Sequence, residues 1–209
     1  MTFDPFGDYE TCGYLRNAVG EKDLGVVKDL ENASFILHID EAVHELANQD
    51  INYETFKHTH KRLFDVFYPW AGQDRAELAP DIAITKGGFN KMFSHPLDVE
   101  RASEYALRDI NKETFSAGTC FAELAYAHPF LDGNGRTILT LHSEIMRRNH
   151  EHVEWERTDK REFLKALTID LNNPGQRHFE KYLNPYIKDN ALTLEDIGKR
   201  LKEFSTSSI

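Results

Sequence analysis

The chain has 209 residues, 40% of them hydrophobic, which is enough for one substantial core. Lysine and arginine number 25 against 35 acidic residues, a net charge of −10, which excludes nucleic acid as a general partner because phosphate binding needs a basic footprint. Cys12 and Cys120 form neither a metal-ligand spacing nor a disulfide framework, and no apolar run approaches the ~20 residues of a membrane span.

Residues 1–20 place Pro5, Gly7, Gly13 and Gly20 among aromatics and read as an irregular lead-in, without the basic start and apolar run of a signal peptide. A helical period follows from Leu24 to Asn48, with Leu30, Ala33, Leu37, Val43 and Leu46 on its apolar stripe. A second helix is predicted from Tyr53 to Phe67, with Phe56, Leu63, Phe64 and Phe67 facing the core. It stops at Tyr68-Pro69-Trp70-Ala71-Gly72, where proline and glycine come close together. Ile82, Ile84 and Lys86-Gly87-Gly88 predict a short hairpin, the one β signal. Helical patterns then cover 97–110, 113–127, 134–148, 160–171, 178–187 and 194–204, with Asn172-Asn173-Pro174-Gly175 as a breaker and Ser205–Ser208 as a polar tail. The expected fold is mainly α: a helical domain over 21–190 with a hairpin at about 80–95, then a C-terminal helix and tail over 191–209.

The stretch His128-Pro129-Phe130-Leu131-Asp132-Gly133-Asn134-Gly135-Arg136 carries the chemistry. Phe121, Leu124, Ala125 and His128 recur at i, i+3, i+4 and i+7, so His128 continues a buried helix face, and Pro129 forces it out of α geometry. Such a histidine also reads as a satisfied core residue or a cation at a helix C-terminus. The residues after it favour a ligand. Gly133 and Gly135 allow unusual backbone geometry and a close approach, and Asn134 is a good N-cap. The helix starting there offers free N–H groups to an anion. Arg136 in its first turn opposes the positive helix end unless an anion shares the site. Asp132 has the chemistry of a magnesium ligand, although Asp-Gly is also a common turn pair. A Walker loop, a dinucleotide fingerprint and a calcium loop each fail at specific positions. A base, a metal-binding acid and an anion cradle describe phosphoryl or nucleotidyl transfer.

These residues resemble the signature of the Fic domain family, HPFx[D/E]GNGRxxR. The resemblance extends to Leu15-Arg16-Asn17, to the run His60–Arg75, and to Ile84-Thr85-Lys86-Gly87-Gly88 with Phe93, which looks like the family's flap. It implies a Fic-type helical domain with a β-hairpin flap, and an enzyme transferring AMP from ATP to a Ser, Thr or Tyr hydroxyl of a target protein. By that resemblance His128 is the general base, Asp132 holds Mg²⁺, Gly133, Asn134 and Gly135 form the anion hole, and Arg136 holds the leaving phosphates. Thr85, Lys86 and Gly87 of the flap lie over the nucleotide, and the flap aligns the target backbone by strand pairing. The implied setting is a cytoplasmic toxin or an effector delivered into another cell.

One position departs from the signature: Leu139 stands where the family has its second arginine. That arginine helps to hold the terminal phosphate and pairs with an inhibitory glutamate, so its loss leaves UTP or CDP-choline open as donors. Gly135 stands where a kinase member of the family has lysine. The inhibitory pattern [S/T]xxxE[G/N] is approached at Thr119–Leu124, Thr140–Ile145 and Thr158–Phe163, and fails each time at the last residue. Restraint by a separate antitoxin-like chain, or none, is the expectation. A catalytically weak Fic domain that only binds nucleotide or protein is the alternative from a different class. His58 and His60, two apart on a helix, point in different directions, and His150 and His152 flank an acidic turn, so neither pair reads as a metal site. Trp70 and Trp155 read as packing residues, and Asn172 and Asn173 as loop breakers.

Overall fold

Asp23 starts the first long helix by accepting hydrogen bonds from the amides of Gly25 and Val26. The structure, a computed structural model, describes residues 2–85, 93–173 and 175–207. After a helical turn, α1 (Tyr9–Cys12), this helix is α2 (Leu24–Ala47). Its buried face differs from the expected stripe. Leu30 and Leu37 are exposed, whereas Val27, Glu31, Asn32, Ser34, Phe35, Ile39, Ala42, Val43 and Leu46 are buried. Polar groups with partners inside the fold displace the leucines from the core side: Ser34 Oγ donates to the Leu63 carbonyl at 2.8 Å.

A reciprocal cap between Asn52 and Thr55 opens α3 (Tyr53–Phe64), which buries Phe56, Leu63 and Phe64 against α2. Phe67 is buried as expected, although it lies in the turn beyond the helix. The lead-in is stitched to this turn: Trp70 Nε1 donates to the Leu15 carbonyl at 2.7 Å, and the Ala18 amide to Phe67 at 2.9 Å. A short α4 (Arg75–Leu78) follows, capped by Asp74. Of the predicted hairpin, residues 86–92 lie outside the described residues. Its base is closed by the Phe93 amide, which donates to the Ile84 carbonyl at 3.1 Å.

α5 (Val99–Leu107) packs on α6 (Ala117–Ala127). The start of α6 is held by Glu180, whose carboxylate accepts from the Ser116 hydroxyl and the Gly118 and Thr119 amides at 2.6, 2.6 and 3.1 Å. α7 (Asn134–Arg148) is the axis of the fold, burying Ile138, Leu141, Ile145 and Met146 among α2, α3 and α6. Beyond it come α8 (Lys160–Asn172), α9 (His178–Leu183) and α10 (Leu194–Ser207), the last helical through most of the expected tail. Two short strands, β1 (His152–Val153) and β2 (Ile187–Lys188), pair antiparallel with His152 opposite Lys188. Two-residue strands carry no readable period, so they left no mark in the sequence. Trp70 and Trp155 are buried, in line with their reading as packing residues, and Cys120 is buried as well.

Candidate active site

His128 is the C-cap of α6, with φ 45° and ψ 56°. Pro129 bars it from α geometry, and the left-handed conformation turns the chain out of the helix there. Arg75 fixes that turn from behind. Its guanidinium donates to the carbonyls of His128 and Ser94, both at 2.7 Å, and its own amide donates to Pro129 at 2.8 Å. Arg75 is fully buried, so the end of the His128 helix and the exit of the flap are tied to one rigid group. On the open side the Phe93 ring stacks on the His128 imidazole, centroids 3.8 Å apart and planes 8° apart.

The loop from His128 to Gly133 turns on side chains that reach back to it. Asn134 is the first helical residue rather than the expected N-cap, and Gly133, at φ 76°, takes the cap position. The Asn134 amide instead bridges both sides of the Phe130 backbone, accepting from its N–H at 3.0 Å and donating to its carbonyl at 2.8 Å. Only glycine fits at 133, because a Cβ there would stand 2.8 Å from the Phe64 ring and 3.0 Å from His60. A Cβ at Gly135 would meet nothing within 4 Å. The first hydrogen bond of α7 runs from the Thr137 amide to Gly133, so the amides of Asn134, Gly135 and Arg136 head the helix with no carbonyl of that helix to receive them.

The Asp132 carboxylate accepts from the Gly133 amide at 2.8 Å. Burial raises its pKa, opposed by that bond and by the charge of Arg136. Its carbonyl is bound by His60 Nε2 at 3.1 Å. Burial lowers the His60 pKa to about 3, so that ring is neutral. Arg136 forms an ion pair with Glu31 of α2 and lies over the Phe64 ring, 5.0 Å from its centroid. Burial, and then the neighbouring Asp132, push the Glu31 pKa up to about 7 against the lowering effect of Arg136. Among the described residues its Oε1 has no hydrogen-bond partner. Asp132, Arg136, Glu31 and Leu139 line one cavity of about 450 Å³, together with Lys28 and Lys160. A larger groove of about 850 Å³, lined by Tyr105, Tyr126 and Arg177, contains none of the residues from 128 to 136.

Residues 50–146 match the Fic/DOC family. The chain is 30% identical over 174 residues to the protein adenylyltransferase VbhT of Bartonella schoenbuchensis, covering 78% of this chain and 35% of that protein. The chain belongs to the Fic family. It thus spans about a third of the length of VbhT. It is also 27% identical to y4lH of Sinorhizobium fredii, named a probable protein adenylyltransferase, over 76% of this chain and 84% of that one. Its fold is that of the N-terminal Fic domain of a VirB-translocated Bartonella quintana protein solved with bound ADP. The TM-score is 0.68 at 16% identity, over 86% of this chain and 92% of that one. The Fic reading of the signature and the mainly helical fold with it are therefore borne out.

Of the residues singled out in the sequence, Asp132 and Arg136 share the cavity, with Gly133 and Asn134 shaping the loop behind them. Thr85 is exposed, and Lys86 and Gly87 lie outside the described residues. Sequence reasoning passed over three partners: His60, Arg75 and Glu31. Glu31-Asn32 carries the Glu-Asn half of the inhibitory pattern, with Val27 where the pattern has Ser or Thr. A search relaxed at that hydroxyl finds it. No helix among the described residues is long and apolar enough to cross a membrane.

Proposed function

We propose that this Fic protein is a protein adenylyltransferase, moving AMP from ATP to a hydroxyl side chain of a target protein. The observation that carries the reading is the loop from His128 to Arg136, which sets a held histidine, a buried acid and helix-start amides that no carbonyl of their own helix receives in one continuous turn. The names of the relatives VbhT and y4lH support the same activity.

His128 accepts the proton of the target hydroxyl as its oxygen bonds to the α-phosphorus. The bond from that phosphorus to the bridging oxygen breaks, and pyrophosphate leaves with the electron pair. The amides of Asn134, Gly135 and Arg136 take up charge on the phosphates, and the Arg136 guanidinium neutralises the leaving group. Asp132 suits Mg²⁺: it is a hard oxygen donor, buried at a raised pKa, so a cation beside it relieves the cost of its charge. Asp132 would hold the ion, since Mg²⁺ commonly takes only one or two protein carboxylates. When bound, it neutralises phosphate charge.

Arg136 holds Glu31 in the state described, so phosphate and Glu31 compete for one guanidinium. Leu139 lines the cavity beside it without charge, which keeps UTP and CDP-choline as donors to be tested. The partner is a protein presenting Ser, Thr or Tyr at the flap. A cytoplasmic setting, with delivery into a second cell or control by a separate antitoxin-like chain, belongs to the same reading. The test is incubation with labelled ATP, UTP or CDP-choline and lysate, comparing wild type with His128→Ala. Label from ATP on a protein band, absent with the variant, is expected. No labelling by any donor sinks the reading in favour of a binding module.

A further inference from the structure

We infer that His60 of α3 is a positioning residue that sets the Asp132 carboxylate by gripping the backbone on which that acid stands. The inference rests on the transferase reading for the role of Asp132 and goes beyond it in naming what aims that acid.

Three observations meet at the ring. The first is its protonation pattern. The Gly72 amide donates to His60 Nδ1 at 3.0 Å, and a ring nitrogen that accepts carries no hydrogen. The single hydrogen of the neutral ring is then on Nε2, which donates to the Asp132 carbonyl at 3.1 Å. The second is its immobility. His60 is fully buried, stacked on Phe130 with centroids 3.8 Å apart and planes 13° apart, and flanked by Trp70 at 5.7 Å. The ring therefore touches the motif twice, at the face of Phe130 and at the Asp132 oxygen.

The third is how the grip reaches the carboxylate. The Asp132 carbonyl and the Gly133 N–H belong to one planar peptide unit, so fixing the carbonyl fixes the N–H. That N–H is the donor that Asp132 Oδ1 accepts at 2.8 Å. His60 thus orients the acid through a rigid plane without touching its side chain. Gly133, at φ 76° and without a Cβ, restrains this plane less than another residue would, which leaves more of the task to the grip on the carbonyl. A partner one step behind a metal ligand is the kind of group whose loss weakens metal binding by roughly 10–100-fold.

The experiment measures the affinity of a fluorescent ATP analogue with and without Mg²⁺ in wild type, His60→Phe and His60→Gln. Phenylalanine keeps the stack and removes the donor, whereas glutamine restores an N–H donor. Expected is a Mg²⁺-dependent gain in affinity that falls about tenfold or more in His60→Phe, with metal-free binding little changed, and returns in large part in His60→Gln. The same Mg²⁺ dependence in wild type and folded His60→Phe overturns the inference alone. No Mg²⁺-dependent binding in wild type overturns the transferase reading and the inference with it. Should His60→Phe not fold, nitrogen-15 spectra of the wild-type ring decide: hydrogen on Nε2 supports the grip, and hydrogen on Nδ1 overturns it.

Discussion

Gly133 and Gly135 stand two residues apart and serve different ends. At 133 the backbone is left-handed and the space is filled by Phe64 and His60. At 135 the backbone is helical and the space is open. Gly133→Ala combines the ~1–2 kcal/mol cost of left-handed geometry with a clash against buried rings, and is expected to lower stability by about 2 kcal/mol or more in urea titration. Gly135→Ala is expected to leave stability unchanged or raise it slightly, since alanine gains up to ~1 kcal/mol over glycine in a helix. It is expected to weaken nucleotide binding if the amides receive phosphate as proposed, because the new methyl group would stand in the open space beside them. Unchanged affinity in Gly135→Ala would show that those amides carry no phosphate. The sequence marked both glycines but could not separate them, since their difference lies in what α3 places beside the loop.

At the scale of elements, the legible parts were those with a period or a motif. The bounds of α7 and the break at Pro129 follow from local pattern, because one helix and one imino acid determine them. The orientation of α2 was not legible. Leu30 and Leu37 belong to a regular stripe, yet Glu31, Asn32 and Ser34 face inward because Arg136, α10 and the end of α3 supply them with partners. Tertiary partners decide such a face, and hydrophobicity alone does not report them. The same fact carries a prediction. Glu31→Ala frees Arg136 for phosphate and is expected to tighten nucleotide binding about tenfold, the equivalent of ~1.4 kcal/mol of competing contact. Weaker or equal binding, measured by calorimetry, would mean that the pair is structural and offers phosphate no competition. Arg75 was equally hidden. Nothing in Asp74-Arg75 announces a side chain whose partners are carbonyls of His128 and Ser94.

For the whole molecule, buried titrating groups pull stability in opposite directions. Burial lowers the pKa of His60 to about 3 and of His142 to about 4, so both stay neutral where unfolded chains protonate. Their contribution is complete above the ordinary histidine value of ~6.5 and is lost as pH falls below it, by up to ~1.4 kcal/mol per pH unit for each ring. Glu31 acts in reverse. Its folded pKa of about 7 means that the native chain keeps a proton that the unfolded chain has lost, so its contribution falls as pH rises from about 4.5 to 7. Glu31→Gln removes this counterweight. Its thermal midpoint is expected to fall more steeply than that of wild type between pH 6.5 and 4.5, and parallel curves would contradict the assignment. Of these groups His60 and Glu31 touch one loop, at Asp132 and Arg136, and the central claim is that this loop moves a nucleotide. The most direct measurement supplies lysate with ATP labelled at either the α- or the γ-phosphate and follows label onto protein. Label from the α position on a target, with release of pyrophosphate and loss of both in His128→Ala, is the predicted result. Transfer of the γ label, or α label that persists in His128→Ala, would contradict it.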